Sequence, residues 1–163
     1  MPIAVAEAAT FHQRSFRDKM ALYGDEVRVL LETGELTLAT TYINALRVRL
    51  AWKLQLKETM REVDVIVTPT LPNTAMRVGQ TISKIGSREE SVFAVSARFC
   101  APFNMVGLPA VSIPCGFAPD GLPIGLQIVG KPFDEEMILR LAHAFEGDTD
   151  YHLKRPRLPG LAN

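Results

Sequence analysis

The sequence predicts an α/β fold, a mixed central sheet flanked by helices. Three observations carry that prediction. Segments with apolar residues at helical spacing alternate with short β-branched runs. Two apolar runs, residues 110–115 and 124–129, flank Ala118-Pro119-Asp120-Gly121; Pro pre-sets φ and Asp-Gly tolerates positive φ, so the stretch reads as a hairpin. With 163 residues, 47% hydrophobic and 22% charged, the chain is long enough for one domain with a sizeable core.

Taken in order, the first helix is expected over residues 4–23. Val5, Ala8, Ala9, His12, Phe16 and Met20 recur at helical spacing, and Gly24 is its stop. Asp25 is placed to cap a short helix over residues 26–33 that Gly34 ends. The longest periodic segment covers residues 38–62, with Thr37 as N-cap. Ile43, Leu46, Leu50 and Leu54 form one apolar stripe, and Arg47, Arg49, Lys53, Lys57 and Arg61 supply much of the polar side. That basic side is either a partner-binding face or, more ordinarily, a solvated face whose long stems lie along apolar surface. Trp52, the single tryptophan, anchors either a core or an interface.

Residues 64–68 are a short β-branched run, hence a buried strand, which Pro69 ends because proline cannot donate to a ladder. Residues 69–86 are irregular and hold Pro72, Asn73, Gly79 and Gly86; a loop of that length is either functional or a mobile surface segment. Ser87, with Glu90 three residues on, reads as a capping box opening a helix to Phe99, with Val92, Val95 and Phe99 on one side. Ala101-Pro102-Phe103-Asn104 breaks it. In the second hairpin strand Ile124, Leu126 and Ile128 share one face, and Gly125, Gln127 and Val129 the other. Gly125 leaves its face bare for the approach of another backbone. Pro132 and Asp134 open the last helix, in which Met137, Ile138, Leu141, Ala142 and Phe145 form a core stripe and Gly147-Asp148 the close. Residues 149–163, with Pro156, Pro159 and Gly160 and little periodicity, read as a tail that is either an extended wrap or disordered.

Eighteen basic and 18 acidic residues give a formal net charge of zero, which argues against a nucleic-acid or anionic-membrane partner. No run approaches the ~20 apolar residues of a membrane helix. The N-terminus lacks a basic region followed by an apolar core, so no signal peptide is expected. Cys100 and Cys115 lie outside any metal-ligand spacing and read as buried, reduced thiols, which places the chain in the cytoplasm. His12 and His143 sit on helical patterns in structural roles; His152, in the tail beside Tyr151, is expected to be exposed. No phosphate-binding or dinucleotide glycine pattern occurs. Asp134-Glu135-Glu136 is a first helical turn favoured by the helix dipole, not a metal site. Ser83, Lys84 and Ser87 are the tempting group for nucleophilic chemistry, which needs a base in reach of the serine and an oxyanion site. The ordinary reading is a helix cap plus loop polar groups.

The order F-N-x-x-G-L-P-A-x-S-I-P-x-G-F from Phe103, a turn, then G-L-P-I-G-L-Q-I-V-G ending at Gly130 resembles the C-terminal part of amidase signature family hydrolases. Asp64-Val65-Ile66-Val67-Thr68-Pro69-Thr70 is similar to that family's strand ending in a Pro-Thr element. Glu7-Ala8-Ala9-Thr10-Phe11-His12 and Tyr23-Gly24-Asp25-Glu26-Val27-Arg28 match it upstream in the right order. The resemblance implies the C-terminal half of the amidase signature fold over residues 1–148, a mixed central sheet with helices on both faces. It also implies hydrolysis of a carboxylic amide C–N bond through a serine acyl-enzyme. The family's lysine, bridging serine and nucleophilic serine lie upstream of everything matched here, the serines in and near a Gly/Ser-rich run. This sequence has no such run, and its only Gly-Ser pair, Gly86-Ser87, falls after the Pro-Thr element.

The resemblance therefore implies no catalytic residue, no metal and no cofactor in this chain. It implies an N-terminal catalytic half as partner, on the same or a separate chain, and a small-molecule amide as substrate of the intact enzyme. Candidates for one wall of the acyl pocket are Thr68, Pro69 and Thr70 at the strand end, since ligands gather near strand ends in α/β sheets, and Phe103 and Asn104 before the hairpin. The Asn104 amide has an alternative task, tying down the loop into Gly107-Leu108-Pro109. Three readings follow: an inactive amidase fragment, exposing apolar surface and open to homo-oligomerisation through it; a non-catalytic interaction module; or one chain of a split amidase.

Overall fold

The computed structural model describes residues 2–156, and these divide into two compact units at Gln55/Leu56. In the first unit, helix α1 (Pro2–Lys19) continues as a 3-10 turn (Met20–Leu22) and helix α2 (Asp25–Glu35) follows. Val5, Ala9 and Phe16 of α1 are buried, as their spacing predicts, while Met20 is exposed. Three glycine and cap assignments change. Gly24, at φ −62° and ψ 153°, is extended and serves as N-cap of α2, so Asp25 is its first residue. Gly34 lies inside α2, because α1 crosses it there. A Cβ at Gly34 would stand 2.1 Å from the Val5 carbonyl oxygen and 2.7 Å from Ala9 Cβ. Thr37 is not a cap: its hydroxyl donates back to the Thr33 carbonyl at 3.0 Å, and Leu38 O accepts the first helical bond, from Tyr42 N.

Helix α3 (Ala39–Glu62) runs through the boundary between the units. Near its start the Tyr42 hydroxyl donates to the Glu7 carboxylate at 2.9 Å, which holds the phenol above its ordinary pKa. The predicted stripe is largely uncovered: Ile43, Leu50 and Leu54 are 47%, 58% and 55% exposed. Leu56 and Met60, further along, are buried.

The second unit contains the sheet. Strand β1 (Val65–Pro69) ends at the proline, as predicted. The next stretch differs from expectation. Strands β2 (Ile82–Ile85) and β3 (Arg88–Ser91) pair antiparallel across Gly86-Ser87, with Ile85 opposite Arg88. Gly86 takes φ +59°, the left-handed conformation that a two-residue hairpin turn requires. Ser87 is thus a turn residue. The cap is Ser91, whose Oγ accepts from Ala94 N at 3.2 Å to open helix α4 (Val92–Ala97), where Val95 is fully buried. Residues 101–104 start helix α5 (Ala101–Val106) instead of breaking one. Pro102 sits in its first turn, where the missing N–H costs nothing, and Gly107 at φ +75° caps its end.

The predicted hairpin is strands β4 (Ala110–Phe117) and β5 (Pro123–Gly130), closed by Gly121 N donating to Ala118 O at 2.8 Å with Gly121 at φ +84°. The register slips by one residue between Pro114 and Gly116, a bulge at Cys115. The sheet order is β1-β5-β4, antiparallel throughout. Helix α6 (Glu135–Asp148), with Asp134 as N-cap, covers one face. Ile113, Ile128, Ile138 and Ala142 form the buried cluster, with Val65, Val111, Leu126 and Phe145 packed against it. Leu141, in the predicted stripe, is 38% exposed. The chain thus has the α/β fold of helices and sheets that the sequence predicts.

Beyond α6, Tyr151–Leu153 form a 3-10 turn, with the Tyr151 ring 6.3 Å from that of Phe117 and 6.4 Å from that of Phe145. His152 is half-buried rather than exposed, because the turn folds it in. The rest of the predicted tail, with Pro159 and Gly160, lies outside the described residues. Among the described residues no helix is long and apolar enough to cross a membrane.

Candidate functional site

Antiparallel pairing decides what stands beside the end of β1. Thr68 lies opposite Gln127 of β5, and Gln127 lies opposite Ser112 of β4, so three polar residues form a row across the sheet. Side chains alternate between faces, so this row is on the face away from α6, as is Thr70 two residues further on. Pro69, between the two threonines, points to the other face and is exposed.

Each residue of the row is hydrogen-bonded through its side chain. Gln127 is 4% exposed, and its Nε2 donates to Thr68 Oγ1 and to the Phe99 carbonyl, both at 3.0 Å. Thr70 Oγ1 and Ser112 Oγ share a 2.5 Å hydrogen bond, and Thr70 N donates to Gly125 O at 2.9 Å. Gly125 is required here. A Cβ on it would lie 2.7 Å from Thr70 Oγ1 and 3.0 Å from Ser112 Oγ. The bare face was expected to admit a backbone; two hydroxyls occupy it. The Cys100 thiol donates to Thr70 O at 3.5 Å, adding a weak second tie between the Phe99-Cys100 segment and β1.

Phe103 and Asn104 follow on α5. Phe103 is buried at 8% exposure, and Asn104 is exposed. The loop into Gly107-Leu108-Pro109 is held by backbone, with Gly107 N donating to Phe103 O and Asn104 O and Leu108 N to Phe103 O. Among the described residues, none hydrogen-bonds the side-chain amide of Asn104, whose backbone N–H donates to Cys100 O at 3.0 Å. The structure thus gathers Thr68 and Thr70 in one cluster and ties the segment leading to α5 against it. Sequence reasoning missed Ser112 and Gln127. Their signal was two polar residues on otherwise apolar strands that pair once the Pro-Asp-Gly turn fixes the register.

Ser83, Lys84 and Ser87 do not converge. Ser83 is buried and accepts from Asn73 Nδ2 at 2.9 Å, Lys84 next to it on β2 points to the opposite face, and Ser87 is in the turn. Among the described residues, no group of three or more His, Cys, Asp or Glu is placed to hold a metal ion. His12 Nδ1 lies 3.1 Å from the Tyr23 hydroxyl, on α1.

The family model described as Amidase matches residues 3–139. The chain belongs to the amidase family. Amidase relatives agree. A glutamyl-tRNA(Gln) amidotransferase subunit from Methanosarcina mazei is 40% identical over 156 residues, 93% of this chain but 32% of that protein. An amidase of Pseudomonas putida is 38% identical over 160 residues, 97% of this chain and 34% of that protein. A crystal structure of an amidase superposes with a TM-score of 0.81 at 26% identity, over 88% of this chain and 33% of that one. This chain of the amidase family therefore spans about a third of the length of the relatives it matches.

Proposed function

We propose that this chain is the C-terminal portion of an amide hydrolase, inactive alone, which contributes three sheet strands and one wall of the substrate pocket. The observation that carries this reading is the match to amidases over nearly all of this chain and only a third of theirs. In the intact enzyme a lysine takes a proton through a bridging serine and a second serine forms the acyl-enzyme. Those residues come from the catalytic portion. The Thr68–Thr70 strand end, with Phe103 and Asn104 on α5, lines the acyl side, and Pro69 holds the strand end between the two threonines.

Two features support the division of labour. The serine and lysine of this chain that come nearest to family chemistry are separated or hydrogen-bonded elsewhere. The chain also leaves many large apolar side chains open, among them Phe93 at 56% and Val67 at 50% exposure, as a surface awaiting a partner does.

The test has two measurements. Coding DNA upstream of the Met1 codon is expected to continue in frame through a lysine and a Gly/Ser-rich serine run; a stop codon there would assign the catalytic portion to a separate chain. Ammonia release from a panel of carboxamides is expected to be absent for this chain alone and present with the catalytic portion. Turnover by this chain alone, surviving Ser83→Ala and Ser87→Ala, would overturn the reading.

A further inference from the structure

Gln127 is the most deeply buried polar side chain near the strand end, and it belongs to neither group of pocket candidates. A primary amide has two N–H donors, and here one serves Thr68 Oγ1 and the other the Phe99 carbonyl. The two acceptors lie 31 residues apart in sequence, on β1 and on the segment that enters α5. Because Thr68 Oγ1 accepts, the hydroxyl hydrogen of Thr68 is left to point elsewhere. A single side chain therefore does two things: it ties the entry of α5 to the end of β1, and it fixes Thr68 as a donor.

We propose that Gln127 is the positioning residue of the pocket wall, presenting the Thr68 hydroxyl as a hydrogen-bond donor to the substrate acyl group and holding the Phe99–Asn104 segment beside it. This rests on the amide-hydrolase reading above. The chemistry is specific to an amide at this position. A carboxylate of the same shape offers only acceptors. It would turn the Thr68 hydroxyl inward as a donor and confront the Phe99 carbonyl with a second acceptor. A leucine would leave both acceptors unpaired, the costly way to lose a buried hydrogen bond.

The test uses Gln127→Glu and Gln127→Leu in this chain, with two readouts. On the chain alone, amide hydrogen exchange by mass spectrometry should show about tenfold faster exchange over residues 99–106, with the β4–β5 hairpin unchanged. Unchanged exchange there overturns the tie. In the assembly with the catalytic portion, Gln127→Glu should raise KM for a carboxamide about tenfold, with a smaller effect on kcat, and lowering the pH should recover part of it as the carboxyl regains one O–H donor. Thr68→Val should raise KM likewise, and the double variant should add little to either single one. Additive effects, or a KM untouched by Gln127→Glu at neutral pH, would overturn the role in the wall. If the unaltered assembly releases no ammonia, the amide-hydrolase reading fails and the substrate-facing role of Gln127 falls with it, while the exchange readout still decides the tie.

Discussion

Glycine shows how much a single residue's meaning depends on its neighbours. Gly24, Gly34 and Gly125 look alike in the sequence, yet one caps a helix start, one lies under a crossing helix and one makes room for two hydroxyls. The sequence shows where backbone freedom or space is available, and only the packed partner shows which is used. For Gly34 the partner is the Val5 carbonyl, 2.1 Å from where a Cβ would stand. Backbone cannot rotate out of the way as a side chain does, so α1 and α2 must part. Gly34→Ala is expected to destabilise the chain by about 1–3 kcal/mol, the usual range for overpacking. Denaturant unfolding followed by circular dichroism measures this. An unchanged midpoint would mean that the two helices are not held at this spacing. Gln127 was hard to find for a related reason: its value lies in two acceptors, Thr68 and Phe99, that are remote in sequence.

At the scale of elements, the segment from Ile82 to Ala97 separates what local pattern can and cannot show. Ser87 with Glu90 three residues later has the form of a capping box, and Ser91 has no such partner. Two-residue turns compete for the same residues, and Gly86 at φ +59° settles the competition for a hairpin, moving the helix start four residues on. The expected consequence is asymmetric. Ser91→Ala removes the hydroxyl that accepts from Ala94 N and should cost about 1 kcal/mol. Ser87→Ala, on an exposed turn, should change the unfolding midpoint little. Equal losses from both would restore the capping-box assignment. The β4–β5 hairpin was legible because Pro119, Asp120 and Gly121 each favour the same turn and both flanking runs are apolar. The helical start at Ala101 was obscured by Pro102, which disrupts a helix interior and suits a first turn equally well.

For the whole molecule, the α/β class followed from periodicity, and α6 covers the sheet face that the Ile124-Leu126-Ile128 alternation marked. Periodicity does not say whether an apolar stripe is covered. Ile43, Leu50 and Leu54 have the spacing of a core stripe and more than two-fifths exposure each. With Val67, Phe93 and Phe133 also open, the chain alone is expected to self-associate. Its mass by light scattering should rise with concentration, and addition of the catalytic portion should replace that series with one defined complex. A concentration-independent monomer would instead favour a self-sufficient interaction module.

The three-stranded sheet has a last consequence. Among the described residues, the outer edges of β1 and β4 pair with no further strand, so each presents a row of backbone donors and acceptors. Such edges template pairing with whatever strand arrives first. Under the reading proposed here, strands of the catalytic portion are the expected occupants of these edges, and on a single polypeptide that portion would leave the ribosome first. Where both portions lie on one polypeptide, the order of synthesis would act as a safeguard, the edges emerging after the portion that covers them.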